Sequence, residues 1–209
     1  MIKIWGRNTS SNVQKAMWAV GELGLECNRI DVGGAFGKNR EAPYLAMNPN
    51  GLVPTLEEDD GFLLWESNSI VRYLAGKHDK AGVLEPKDAK QRALASQWMD
   101  WQLSVMGPAI TPVFWGLIRT PPEKRDANAI TAGKEKTIAA AKMMDAQLGK
   151  TTFLAGPNFS YGDIPAGIMI YRYVQLIPER PPTPNLDRWY NAISGRKAFE
   201  EQVGSVPLS

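Results

Sequence analysis

Asn48-Pro49-Asn50-Gly51-Leu52-Val53-Pro54-Thr55-Leu56, followed shortly by Trp65-Glu66-Ser67-Asn68, decides how this chain reads. An X-Pro bond stands beside a short strand, a hairpin follows, and a polar pair opens a helix. The residue before a proline is pushed to extended geometry. Val53 therefore presents its main-chain N–H and C=O for antiparallel pairing with an added peptide. A helix that starts at Ser67 gathers unpaired N–H groups suited to a carboxylate. A small peptide with a free α-carboxylate satisfies both features.

Upstream of that stretch, Ile2–Trp5 reads as a strand and residues 6–11 as a polar turn rich in capping residues. Val13, Met17 and Val20 give residues 12–24 helical spacing, and Gly24 stops the helix. Residues 27–32 read as a second strand. A β-α-β crossover of this length makes the two strands parallel. A short helix is expected over 41–46, and strands over 53–57 and 62–65 join through Glu58-Asp59-Asp60-Gly61, a tight-turn sequence. Residues 67–77 read as a helix with Ile70, Val71 and Leu74 inward.

Downstream, the character changes. Residues 79–86 form a polar linker containing Gly82 and Pro86. No strand is expected after it. A long helix over 87–106 should kink or break at Gly107-Pro108 and Pro112. Another is expected over 123–149, opened by Pro121-Pro122. Ser160 and Asp163, with Phe159 and Ile164 as a staple, read as a capping box that starts a helix running to about 177. A last helix is expected over 186–196. The expected organisation is an α/β domain over 1–78, a linker over 79–86 and an all-α domain over 87–209.

The totals exclude several classes. The 209 residues are 44% hydrophobic and 22% charged, ordinary for a globular protein. A net charge of +2 without a dense Lys/Arg cluster gives no reason to expect nucleic acid. No apolar run approaches the ~18 residues that a bilayer span needs. Met1-Ile2-Lys3-Ile4-Trp5 has no signal-peptide character. Cys27 is the single cysteine, so no internal disulfide forms, and a reducing cytoplasm is the expected compartment. One histidine, His78, in a polar stretch that reads as a solvated helix end, argues against a metal centre. No phosphate-loop pattern is present.

The order and spacing of the Val53-Pro54 strand, the Glu66-Ser67 helix start, the helical second half and the Ser160–Asp163 box resemble the cytosolic glutathione S-transferase family, over essentially the whole chain. The resemblance is to bacterial, serine-type members, similar to the theta, zeta and delta classes. It implies a thioredoxin-like N-terminal domain, an all-helical C-terminal domain, a cis bond before Pro54 and glutathione as co-substrate, with no prosthetic group. It also implies a homodimer and conjugation of glutathione to a small hydrophobic electrophile, with another glutathione-dependent reaction (peroxidase, dehalogenase or ether cleavage) or a non-catalytic glutathione-binding protein as the alternatives on the same fold.

Glutathione chemistry needs a thiolate. A free thiol has a pKa of ~8.5, and lowering it by ~2 units takes ~2.7 kcal/mol of preferential thiolate stabilisation. A hydroxyl donor and the positive end of a helix supply such stabilisation. The turn Asn8-Thr9-Ser10-Ser11-Asn12 offers both. The resemblance places the serine of the serine-type classes on Ser10, with Ser11, Asn12 and Thr9 as neighbouring alternatives; a plain helix cap is the competing reading of Ser10 or Ser11. Tyrosine-type catalysis is not expected, since Trp5-Gly6-Arg7 has no phenol. Cys27 falls inside a strand and reads as a structural thiol.

By the same resemblance, Val53 pairs with the cysteinyl backbone, and Glu66 and Ser67 hold the γ-glutamyl ammonium and carboxylate. Asn68 stands where several classes carry an arginine, and Gly51 where some carry a polar side chain, so two of the usual contacts are missing. Asp100, an acidic residue of the long helix, is the candidate for help to the ammonium across a dimer, against a solvated helix face. Asn39, with Lys38 and Arg40 beside it, is the candidate for the glycyl carboxylate. The electrophile pocket is expected between residues 6–9, including Asn8, and the long helix, where Met106, Ile110 and Phe114 recur at four-residue spacing with Trp115 adjacent. Core packing is the competing reading for each of these four.

Overall fold

A computed structural model describes all 209 residues. The chain divides into two compact units, Met1–Glu85 with Ala198–Val206, and Pro86–Lys197 with Pro207–Ser209. The expected linker ends at the first of these junctions. The return of Ala198–Val206 to the first unit departs from the expected division.

In the first unit, β1 (Ile2–Trp5) and β2 (Cys27–Ile30) flank α1 (Ser11–Glu22). They pair in parallel with Ile2 opposite Cys27, as the crossover demands. Next come α2 (Ala42–Met47), β3 (Thr55–Glu57), β4 (Leu63–Trp65) and α3 (Ser67–His78). β3 runs antiparallel to β1, with Leu56 opposite Ile4, and β4 antiparallel to β3, giving the sheet order β2-β1-β3-β4. This is the thioredoxin-like arrangement that the sequence resemblance implies. The hairpin closes where Asp60 accepts from Phe62 N–H at 3.0 Å and Gly61 takes φ 86°. Ile4, Leu56, Val13, Ala16, Ile70, Val71 and Leu74 are fully buried and form the core.

Two features of this unit were not legible beforehand. Asp79, the residue after α3, accepts from Val83, Leu84 and Glu85 N–H at 2.8, 2.6 and 2.7 Å, so the linker is wound around one carboxylate. The return segment, with α9 (Lys197–Phe199) leading into it, packs on α1: Phe199 stacks edge-on against Trp18 with centroids 4.9 Å apart. His78 is not a solvated helix end; its side chain is about a quarter exposed, with Nε2 4.0 Å from Glu58 Oε1.

The second unit is helical. α4 (Ala89–Trp101) starts at Asp88, whose carboxylate accepts from Lys90 and Gln91 N–H, both at 3.0 Å. Of the kink or break expected at Gly107-Pro108 and Pro112, the break does not occur. A π-helical turn, Gln102–Met106, leads directly into α5 (Gly107–Phe114), and a second, Trp115–Arg119, follows. A π turn shifts the hydrogen-bond register, so the helix carries donor-less prolines without ending. The expected start of the next helix is also displaced. Pro122–Lys124 makes only a 3₁₀ turn, and α6 (Ala127–Leu148) begins after Asp126, which accepts from Ala129 N–H at 3.0 Å.

α7 (Asp163–Leu176) begins at the capping box, with one difference from expectation. Asp163 reaches back to Ser160 N–H at 2.9 Å, as a capping box requires. The Ser160 hydroxyl, however, donates to that same carboxylate at 3.1 Å and accepts from Gly162 N–H at 3.3 Å. Asp163 also accepts from Leu154 N–H at 3.0 Å and Trp189 Nε1 at 2.8 Å. It is fully buried, and burial pushes its carboxyl up to about 6 against these donors. α8 (Pro184–Ser194) is capped from a distance by Asp145, which accepts from Asn185 and Leu186 N–H at 2.9 and 3.0 Å. No helix is long and apolar enough to cross a membrane.

Candidate active site

The decisive stretch folds around two buried polar side chains. Tyr44 donates to Leu52 O at 2.7 Å, and Asn48 Nδ2 donates to the same oxygen at 2.9 Å. Asn48 Oδ1 accepts from Asn50 N–H at 3.1 Å. The turn is thereby fixed up to Leu52, and the Val53–Pro54 bond that follows is cis. No main-chain hydrogen bond takes up the N–H or carbonyl of Val53. An edge of peptide backbone is thus presented beside β3.

Glu66 lies at the start of α3 with φ 71°, a left-handed conformation rare for a residue with a side chain. Such conformations persist where surrounding structure enforces them and are common at ligand sites. Nothing in the sequence signalled it. Its side chain is exposed and makes no cap. The first-turn N–H groups of α3 are therefore left to the space in front of the helix. Ser67 is buried, and its hydroxyl donates to Asn12 Oδ1 at 3.3 Å. That bond joins the first turns of α1 and α3. Asn12, Asn48, Asn50, Leu52, Val53, Pro54, Glu66 and Ser67 line one cleft. Two helix N-termini and a free strand edge thus converge on one place.

Ser10 occupies the N-cap position of α1 with extended backbone (φ −80°, ψ 121°), yet its hydroxyl makes no capping bond. Ser10 and Ser11 are half-buried, whereas Asn8 and Asn12 are exposed. No acidic residue stands in the first turn of α1, so the positive end of the helix is not neutralised there. Cys27 is a different kind of thiol: burial pushes it up to about 11, which keeps it protonated at neutral pH.

The other sequence candidates divide. Asn39 donates to Gly51 O at 2.8 Å and Arg40 to Asn50 O at 3.1 Å, so both tie their loop to the decisive turn. Gly51 itself, at φ 60°, sits where a Cβ would meet Arg40 Nη1 at 2.8 Å. Asp100 lies on the exposed face of α4 in the helical unit, its carbonyl accepting from Ser104 at 3.0 Å. Met106 and Ile110 are fully buried, so the four-residue spacing that suggested a pocket wall marks core positions where α5 packs on α6 and α7. Phe114 is 5% exposed, with the Arg172 guanidinium 4.0 Å over its ring, and Trp115 is 59% exposed. Sequence reasoning missed Asn50 and Leu52 as members of the cleft; a pair this close to Val53-Pro54 was the available signal.

A thioredoxin-like unit with a polar-lined cleft at two helix starts, joined to a helical unit, defines a class, and comparison with known proteins gives it a name. Residues 9–77 match the family model described as glutathione S-transferase, N-terminal domain, and residues 105–197 match glutathione S-transferase, C-terminal domain. The chain is 41% identical to glutathione S-transferase GstB of Escherichia coli (strain K12) over 100% of both proteins. It is 28% identical to glutathione S-transferase 3 of Zea mays, over 99% of this chain and 95% of that one. Among solved structures, it is similar to the theta class glutathione S-transferase of Xanthomonas axonopodis pv. citri with glutathione bound. The TM-score is 0.94 and the identity 42%, over 100% of this chain and 99% of the other. It is also similar to glutathione transferase F7 of Populus trichocarpa, with a TM-score of 0.86 at 26% identity over 99% of this chain and 100% of that one. The chain belongs to the glutathione S-transferase family.

Proposed function

We propose that this glutathione transferase binds glutathione in the cleft between α1, β3 and α3 and uses the Ser10 hydroxyl to stabilise its thiolate for attack on a hydrophobic electrophile. The observation that carries the reading is the convergence of Val53, Glu66 and Ser67 in one cleft lined also by Asn12. Val53 pairs with the cysteinyl backbone through main-chain groups that no other strand uses. Ser67 and the uncapped first turn of α3 hold the γ-glutamyl carboxylate, and the exposed Glu66 carboxylate takes the ammonium. Asn39 and Arg40, at the far side of the same turn, are the donors nearest in sequence for the glycyl carboxylate; Arg40 keeps most of its five N–H groups beyond the bond to Asn50.

Ser10 is favoured over Ser11 and Asn12 because its hydroxyl stands at the helix start without a capping role. Asn12 accepts from Ser67, so it acts first in positioning that residue. Of the four residues of the long helix expected to meet the electrophile, Trp115 offers the exposed surface. A homodimer in a reducing cytoplasm completes the proposal, with Asp100 as the residue a partner would use.

Isothermal calorimetry with glutathione tests the site. The parent should bind it. Ser67→Ala should weaken binding about tenfold, the effect of one hydrogen bond to a charged group, which the hydroxyl makes by turning its proton from Asn12 Oδ1 to the carboxylate. Glu66→Gln should weaken glutathione but leave the analogue lacking the γ-glutamyl ammonium unaffected. Absence of binding by the parent refutes the assignment.

A further inference from the structure

Asn12 and Ser67 meet across the first turns of two helices. Ser67 is 5% exposed, and its hydroxyl donates to Asn12 Oδ1 at 3.3 Å, while Asn12 itself is exposed. Neither α1 nor α3 carries an acidic residue in its first turn. An aspartate at position 12 would accept the Ser67 O–H as well as an asparagine does, and its charge would complement the positive end of α1. What asparagine has and aspartate lacks is an N–H donor and a neutral side chain. Both properties matter once another anion comes to the same helix ends.

A serine hydroxyl has one proton to offer and two lone pairs. A carboxylate that takes up the Ser67 O–H leaves Asn12 Oδ1 facing the serine oxygen with no proton between them. A half-turn of the Asn12 amide about its last torsion puts Nδ2 where Oδ1 stood, at the same 3.3 Å from Ser67 Oγ. The amide then donates to a serine oxygen that itself donates to the carboxylate, and each bond in such a chain polarises the next. An aspartate has no such second state. It keeps the Ser67 O–H and sets a negative charge beside the incoming one.

We propose that Asn12 is a positioning residue for the γ-glutamyl carboxylate, its amide changing from acceptor to donor as the Ser67 hydroxyl turns to the ligand. This rests on the reading that Ser67 holds that carboxylate. The first turn of α1 then serves both ends of the γ-glutamyl-cysteinyl unit, Ser10 at the sulfur and Asn12 behind Ser67.

Calorimetry with two ligands tests it: glutathione, and γ-aminobutyryl-cysteinyl-glycine, which keeps the ammonium and lacks the carboxylate. Asn12→Ala should weaken glutathione about threefold, the effect of one neutral hydrogen bond. Asn12→Asp should weaken it about tenfold or more, at least as much as Ser67→Ala, because the hydroxyl stays with the aspartate. Neither variant should weaken the decarboxylated analogue. In a Ser67→Ala background, Asn12→Ala should add nothing. Asn12→Asp should melt at or above the temperature of the parent, since an acidic residue in the first turn favours α1; a merely structural role for Asn12 has no means of raising stability while binding falls. Parent-like glutathione affinity in Asn12→Asp overturns the proposal. So does a loss in Asn12→Ala that is shared by the analogue, or one that persists undiminished in the Ser67→Ala background. If the parent binds glutathione no better than the analogue, or binds neither, the reading of Ser67 falls first and this inference falls with it.

Discussion

Asp79→Asn should loosen the junction after α3 by an amount that the structure allows to be worked out. One carboxylate oxygen accepts from Val83 N–H at 2.8 Å, and the other from Leu84 and Glu85 N–H at 2.6 and 2.7 Å. An asparagine has one acceptor oxygen. If it serves Leu84 and Glu85, its NH₂ group faces the Val83 N–H, and that donor loses its partner. The two bonds kept pass from an ionised to a neutral acceptor, a loss of about 1 kcal/mol each, and the orphaned donor adds about 1–3 kcal/mol. Partial exposure of the turn brings the total to the lower end, about 3 kcal/mol. Acid provides a second reading. Burial pushes the Asp79 carboxyl up, but the N–H groups of Glu85, Val83, Leu84 and Gly82 outweigh it and hold the group below its usual range. A carboxylate depressed in the fold contributes stability above its unfolded pKa of ~3.9 and loses it as pH falls through the lower folded value. The gap between parent and variant should therefore be full near pH 7 and close below about pH 4. Urea unfolding followed by circular dichroism at both pH values measures it. A gap under about 0.5 kcal/mol at pH 7, or one that widens on acidification, refutes the reasoning.

Two further substitutions test the packing. Asp163→Ala orphans the buried N–H groups of Leu154, Ser160 and Trp189, at about 2 kcal/mol each, while the relief of a carboxyl held about 2 units high offsets ~3 kcal/mol at pH 7. The net loss should be about 3 kcal/mol in a denaturant melt at pH 7. Because this pKa is raised, its contribution is full below about pH 4 and lost as pH rises through about 6, so here the gap should narrow upward, opposite to Asp79. Gly21→Ala puts a Cβ 2.8 Å from Ala198 Cβ; it should cost about 1–2 kcal/mol and free the return segment to proteolysis, and Ala198→Gly in the same chain should recover most of the loss.

The sequence was most readable where local chemistry acts alone. Ile2–Trp5, the Asp-Gly hairpin and the start of α3 at Ser67 lie where strand alternation, turn residues and a polar helix opening put them. Proline misled at two places, each for its own reason. At Pro108 and Pro112 the π turns on either side absorb the missing donors, so the helix continues. At Pro121-Pro122 a 3₁₀ turn is all that forms, because the cap that starts α6 is Asp126. Four-residue spacing at Met106 and Ile110 was correct for a helix and silent on which side its face is covered. The return of Phe199 to Trp18 spans most of the chain and leaves no local mark. At the site, the residue types and their order were legible, whereas the left-handed Glu66 and the Ser67–Asn12 bond arise only from the packing of α1 on α3.

The central claim is that the turn before α1 ionises the glutathione thiol through Ser10. The direct measurement is the ultraviolet thiolate absorbance of bound glutathione, titrated with pH in the parent and in Ser10→Ala at saturating ligand. The parent should show a thiol pKa about 2 units below the ~8.5 of a free thiol. Ser10→Ala should return it by about 1–2 units while calorimetry shows glutathione still bound. Identical titrations in the two proteins, with glutathione bound to both, would contradict the account and move the role to Ser11 or Asn12.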